Sequence, residues 1–190
     1  MSAESAESTS SVPLPEPQPD CGVKGMMDLG VHLEKPGCEC LNESDDHPWA
    51  HAMTPGGGYL ESDCDEQIIL CLAYNQKVKL HSLKVKAPAN KGPKTIRIFA
   101  NLPNTLDFDK AESMVATQDL TLSPEQLDGR PIPLKFVKYQ NVQSVQFFFQ
   151  DNQAGEETTQ IDYFAVIGTP LSTTDMSEFK RVTGKKGEGH

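Results

Sequence analysis

The chain has 190 residues, of which 37% are hydrophobic, and a formal net charge of −10 from 27 acidic and 17 basic residues. This length suits a single domain with tails. The excess of negative charge disfavours nucleic acids and anionic membranes as partners, because binding either one depends on positive side chains that neutralise phosphate.

The N-terminal segment, residues 1–25, is rich in Ser, Glu and Pro and contains no aromatic residue. Such a composition buries too little apolar surface to offset the entropy lost on ordering, so we predict that this segment is disordered. It shows no charged region followed by an apolar run, the pattern of an export signal. The longest apolar run, Ile68–Ala73, is too short to cross a bilayer. We therefore expect a cytoplasmic protein, with the nucleus as a further location.

The central part of the chain alternates short apolar stretches with turn residues. Ile68–Ala73 is apolar throughout, which is typical of a strand buried on both faces, and Asn75-Gln76 bounds it. From residue 78 to 86 apolar and polar residues alternate, with a phase shift that predicts a β-bulge near Ser82. Further strands are predicted over Thr95–Ala100, Gln118–Leu122, Leu134–Tyr139, Val142–Gln150 and Thr159–Ile167, with a short element over Leu106–Phe108.

Strands at this spacing, with almost no helical periodicity, predict an all-β sandwich or barrel rather than alternating strands and helices. We place one domain at residues 26–183. A short helix is predicted near its end, over Asp175–Val182, where Met176, Phe179 and Val182 share one face. Residues 184–190 are predicted to form a flexible, glycine-rich tail.

Several segments taken together resemble one known family. In chain order they are Gly37–Ser44, Leu60–Gln67, Asn75–Ser82, Gly92–Phe99, Leu134–Val142, Glu156–Thr159 and Ile167–Pro170. This ordered set resembles the PITH domain, the proteasome-interacting C-terminal half of thioredoxin-like proteins.

The resemblance implies a jelly-roll β-sandwich similar to galactose-binding-like domains. It also implies a non-catalytic interaction module that docks on subunits of the regulatory particle of the 26S proteasome; on its own we expect a monomer. Thioredoxin-like proteins also carry an N-terminal thioredoxin domain with a Cys-Gly-Pro-Cys motif, but no Cys-x-x-Cys occurs here. The chain is therefore either a fragment of such a protein, linking thioredoxin-type redox activity to degradation, or a PITH-only relative.

Candidate partner contacts lie in two charged segments. The acidic loop, with Glu61, Asp63 and Asp65, suits a basic partner surface; alternatively it is a solvated turn that protects the edge of the next strand. His190 ends the chain with an imidazole beside a carboxylate, so it either extends as a solvated tail or is presented to a zinc ion held by a partner. The C-terminal candidates are Lys180, Arg181, Lys185, Lys186, Glu188 and His190.

The cysteines allow a second interpretation, a thiol-based redox protein. Their number is odd, 5, and no export signal is visible, so a reducing compartment is expected. Cys38, Cys40 and Cys64 are the candidates for a redox pair. Acidic neighbours raise the pKa of a thiol and slow its reactions, so the alternative is a set of packed, unreactive thiols.

No catalytic motif is found: there is no serine elbow, phosphate-binding loop or paired-histidine motif, so we expect no enzyme activity and no cofactor. The Cys-x-Cys spacing of Cys38 and Cys40 is too tight for a zinc knuckle, so no metal is expected within the domain. A third possibility is a jelly roll that binds a small ligand or glycan, with Trp49, Asn42 and His51 as aromatic platform and hydrogen-bonding groups.

Overall fold

The computed structural model describes residues 21–171. The predicted helix over Asp175–Val182 and the tail at 184–190 lie outside this range, as does most of the segment predicted to be disordered. The last residues of that segment are described and packed: Cys21 is buried in a cluster with Ala165 and Ile167. The folded domain therefore begins before its predicted first residue, Met26, because these N-terminal residues cover one face of a strand.

The described residues are mostly strand, as predicted for an all-β domain. Their α-helices are short, α1 over Trp49–Ala52 and α2 over Phe108–Ser113, and α2 starts at the end of the short element predicted near residue 106. The strands, numbered in chain order, are β1 Met27–Asp28, β2 Glu39–Leu41, β3 Leu60–Glu61, β4 Ile68–Lys86, β5 Thr95–Ala100, β6 Gln118–Thr121, β7 Asp128–Pro133, β8 Val142–Phe149, β9 Gln160–Ile161 and β10 Tyr163–Pro170.

The long strand β4 connects the two layers of the sandwich. Its first half pairs with β2 and β8, and its second half pairs with β7 and β10, always antiparallel. The order along the main sheet is β1-β10-β4-β8-β5-β6. The register between β4 and β8 breaks between Ala73 and Val78. Asn75-Gln76 therefore marks the place where β4 changes partners rather than its end. A second register shift, against β10, lies beside Ser82 and confirms the predicted bulge.

Aromatic side chains from facing strands form the centre of the core. Phe147 and Phe149 on β8 meet Phe164 on β10 edge to face, with ring centroids 4.9 and 5.6 Å apart. All three are fully buried, and burying one such side chain contributes roughly 1.5–3 kcal/mol. Residues 68–72 are buried as well, because α2 and the loop before it cover the outer side of β4. This confirms the predicted strand that is covered on both faces.

The prediction of a strand over Leu134–Tyr139 is wrong. A 3-10 helix occupies Phe136–Lys138, and the strand in this region, β7, ends at Pro133. A strand that contains Pro131 and Pro133 is tolerated because β7 is an edge strand that, among the described strands, pairs with β4 alone. Because prolines are uncommon in strands, the sequence pattern did not predict β7, and the apolar residues that follow it were predicted as a strand instead.

Candidate interaction surface

Three segments that are distant in sequence meet at one end of the sandwich: residues 42–47, 61–67 and 150–159. Backbone hydrogen bonds join the first segment to the second and the second to the third, at N···O distances of 2.8 to 3.1 Å. None of the three segments contains Lys or Arg. We call this surface the acidic end; its carboxylates belong to Glu43, Asp45, Asp46, Glu61, Asp63, Asp65, Glu66, Asp151, Glu156 and Glu157.

The side chain of Asn42 holds the acidic loop in place. Its backbone is left-handed, with φ of 70°, a conformation that Asn tolerates better than most residues. Its amide nitrogen donates to the Gln67 carbonyl at 2.7 Å and to the Asp65 carboxylate at 2.9 Å. Its amide oxygen accepts the Cys64 N–H at 3.1 Å. One side chain thus ties together both ends of the loop that carries Asp63 and Asp65.

A buried polar network holds the remaining loops. Asn152, Thr159 and Ser62 are at most 3% exposed. The Thr159 hydroxyl donates to the Glu66 carbonyl at 2.7 Å, and the Ser62 hydroxyl accepts the Thr159 N–H at 2.9 Å. Asn152 donates to the Glu156 carbonyl at 2.9 Å. Because these buried groups are satisfied within the fold, the acidic end is held in one arrangement before any partner arrives.

The three predicted acidic contacts have different surroundings. Burial opposes ionisation of Glu61, but hydrogen bonds from Lys91 and Thr158, both at 2.8 Å, outweigh it and lower the pKa of this carboxyl. Glu61 is therefore engaged inside the fold. Asp63 and Asp65 are exposed. They are the predicted acidic contacts that a partner can reach.

The cysteines are free thiols, and the pKa is raised in each of the four discussed here. Burial raises the pKa of Cys38 and of Cys40, and raises the pKa of Cys71 to about 12. Cys64 is exposed, but its hydrogen bond to the Asp63 carboxylate raises its pKa as well. Thiolates are the reactive form, so these surroundings favour slow thiol chemistry.

The residues proposed for a sugar site do not converge. The hydrogen-bonding atoms of Asn42 are engaged by the acidic loop. His51 packs against Gly58, with its ring about 3.2 Å from where a Cβ at that glycine would lie. Trp49 instead lines a groove on the side of the domain. The three residues that the sequence suggested as one sugar site therefore have separate contacts in the fold.

Two kinds of feature are absent from the part of the chain that the structure describes. Within it, no cluster of three or more His, Cys, Asp or Glu side chains has the arrangement of a metal site. Likewise, no helix between residues 21 and 171 has the length and apolar character needed to cross a membrane. The C-terminal candidates Lys180, Arg181, Lys185, Lys186, Glu188 and His190 lie beyond the described residues.

The architecture is that of the galactose-binding-like jelly-roll β-sandwiches. The family 32 CBM from C. perfringens NanJ, solved in complex with galactose, matches with a TM-score of 0.51 at 11% identity, over 68% of this chain and 91% of that one. CBM32-3 from a family 31 glycoside hydrolase of Clostridium perfringens matches with a TM-score of 0.50 at 13% identity, over 73% and 95%. At such identities the likeness establishes the fold alone.

The family model described as "PITH domain" matches residues 19–184, so the chain belongs to the PITH domain family. Thioredoxin-like protein 1 from Schizosaccharomyces pombe is 37% identical over 166 residues, which cover 84% of this chain and 57% of the relative. PITH domain-containing protein 1 from Danio rerio is 27% identical over 155 residues, which cover 77% of this chain and 71% of the relative. The chain thus spans little more than half of the first relative, and the name of the second indicates no catalytic activity.

Proposed function

We propose that this chain is a non-catalytic protein-interaction module that docks on the regulatory particle of the 26S proteasome, in the cytoplasm and nucleus. The observation that carries the proposal is the match to the PITH domain family over residues 19–184, because resemblance to that family implies proteasome docking. The scaffold of the described residues supports it, since a packed sandwich presents hydrogen-bonded loops at one end.

The acidic end supplies one contact surface. Its loops lose little conformational freedom on binding, because hydrogen bonds already hold them, and this lowers the entropic cost of association. Asp63 and Asp65 are exposed beside them. Their charges attract a basic surface over about 8 Å at physiological ionic strength. Binding through this end should therefore weaken as salt is added.

The C-terminal residues supply the second contact. The cations suit an acidic surface of the partner, and the imidazole of His190 suits a zinc ion that the partner holds. The residues concerned are Lys180, Arg181, Lys185, Lys186, Glu188 and His190.

In a longer protein such as Thioredoxin-like protein 1, docking of this kind would bring thioredoxin-type redox activity to the site of degradation. The thiols of the present chain do not favour a redox role of their own, because burial or a neighbouring carboxylate raises the pKa of Cys38, Cys40 and Cys64. A sugar-binding role has no support beyond the fold.

Capture of purified regulatory particle on the immobilised chain tests the proposal. The variant Asp63→Lys reverses an exposed charge at the acidic end, and Glu34→Lys reverses an exposed charge near Ala73, at the far end of the first half of β4. We expect the wild type and Glu34→Lys to capture the particle equally, and Asp63→Lys to capture less, with the difference shrinking in high salt. Absence of capture by the wild type would refute the docking proposal itself.

The contribution of the tail is tested separately. A chain lacking residues 187–190 should bind the particle more weakly if the last residues contact it. The control is Lys110→Ser, since Lys110 is an exposed cation on α2, outside both the tail and the acidic end. Undiminished binding by the shortened chain would remove the tail from the proposed interface while leaving the acidic end in place.

A further inference from the structure

A groove of about 300 Å³ lies between the segment that follows β1 and helix α1. Its apolar lining includes Val31, Leu33, Trp49 and Met53. Leu33, Trp49 and Met53 are partly buried and pack against the main core, whereas Val31 is 60% exposed. An apolar groove that keeps a large aliphatic side chain in water is suited to receiving another apolar surface.

A series of contacts links the end of the described chain to this groove. The N–H of Leu171 donates to the carbonyl of Lys77 at 2.9 Å. The neighbouring residue in β4, Gln76, is hydrogen-bonded through its side chain to the ring of His32 at 3.1 Å. His32 directly follows Val31, a wall of the groove. The chain therefore continues past Leu171 from a residue that is linked to the groove through Lys77, Gln76 and His32.

We propose that the groove is the docking site of this chain's own C-terminal segment, Asp175–Val182. Residues 172–174 can bridge up to about 10 Å in extended form, and they start from the side of β4 whose Gln76 contacts His32 next to the groove. As a helix it is about 12 Å long and carries Met176, Phe179 and Val182 on one face. These are the side chains that an apolar groove lined by Val, Leu, Trp and Met accepts.

Charges around the groove complement the same segment. Asp28 lines the groove, and its carboxylate is held by hydrogen bonds from the Gly30 N–H at 2.8 Å and the Tyr163 hydroxyl at 3.0 Å. It complements the basic pair Lys180-Arg181. Lys35 lines the groove as well and has no ion pair within residues 21–171. It complements the glutamate at position 178.

Docking of this segment anchors the tail that follows it. Residues 184–190 then extend from a fixed point on the domain instead of from a loose tether. A shorter and stiffer connection raises the effective concentration of the tail at any surface that the domain contacts. The inference concerns the chain by itself and does not depend on the proteasome proposal.

The test uses Trp49, because it is the single tryptophan of the chain and lines the groove. In the full-length protein, Phe179→Ser should shift the tryptophan emission maximum to longer wavelength and increase its quenching by acrylamide, since water reaches the exposed ring. Val31→Asp, on the opposite side of the contact, should produce the same shift. The control Lys185→Ser, outside the docking segment, should leave emission and quenching as in the wild type.

Two results would overturn the proposal. One is emission and quenching of Phe179→Ser that match the wild type while the variant remains folded by circular dichroism. The other is a shift that appears only above a threshold protein concentration, together with a wild-type dimer in sedimentation velocity. That result would place the segment of a second copy in the groove.

Discussion

Replacing Asn42 removes the side chain that holds the acidic loop. The variant Asn42→Ala loses the bonds to the Gln67 carbonyl at 2.7 Å and the Asp65 carboxylate at 2.9 Å, and the bond from the Cys64 N–H at 3.1 Å. It also places an alanine at φ of 70°, a conformation that alanine tolerates less well than asparagine does. The variant Asn42→Gly loses the same hydrogen bonds but accepts this backbone conformation.

The two variants therefore separate hydrogen bonding from strain. Each of the three lost hydrogen bonds costs about 1 kcal/mol, and left-handed backbone costs roughly 1 kcal/mol more at alanine than at asparagine or glycine. We expect Asn42→Ala to lower the free energy of unfolding by about 4 kcal/mol and Asn42→Gly by about 3 kcal/mol. Hydrogen exchange at the amides of residues 64–67 should accelerate in both variants, because the loop is released from its anchor.

The assay is urea unfolding at fixed pH, followed by circular dichroism, with exchange read by mass spectrometry. A loss below about 0.5 kcal/mol in both variants would refute the role of Asn42 as the anchor of the loop. Equal losses in the two variants would refute the contribution of backbone strain and leave the hydrogen bonds as the cause.

Three further predictions concern single groups. The pKa of Glu61 lies below its ordinary 4.5 because of Lys91. The ionised carboxylate therefore stabilises the fold above pH 4.5, and this stabilisation is lost as the pH falls through the folded-state pKa. Glu61→Gln should unfold more easily than the wild type near neutral pH, and the difference should vanish in acid, as urea titrations at several pH values will show. Asp63→Asn should speed alkylation of Cys64 at mildly alkaline pH, because the carboxylate that raises the thiol pKa is removed; an unchanged rate by peptide mass spectrometry would contradict the assigned cause. The Tyr74 hydroxyl is buried without a hydrogen-bond partner among the described residues, so Tyr74→Phe should raise the free energy of unfolding by about 1 kcal/mol, and a comparable loss would show that the hydroxyl is satisfied.

Strands could be predicted where the local sequence pattern is enough to specify a strand. Thr95–Ala100 is a strand as predicted, since its alternating branched and aromatic residues fit a half-buried position in a sheet. The continuity of β4 through Asn75-Gln76 was not predictable, because it depends on new partners, β7 and β10, that come from distant parts of the sequence. Leu134 and Tyr139 are buried, but burial alone does not distinguish a strand from a 3-10 turn.

The sequence predicted only part of the acidic end. Charge marks Asp63 and Asp65 as exposed, and local acidic neighbours explain the raised pKa of Cys64. The groups that hold the loops, Asn152 and Thr159, carry no local sign of their role, because a polar residue is buried only when a distant segment satisfies it. From the sequence alone, a polar residue beside a glycine-containing loop is expected to be exposed to solvent.

Hydrogen exchange of the full-length chain, free and bound to purified regulatory particle, tests the central claim most directly. We expect slower exchange on binding at residues 61–67 and in the C-terminal tail, with little change in the buried strands β8 and β10, which are already protected. Exchange that is the same everywhere with and without the particle would contradict the claim that this domain is a docking module for it.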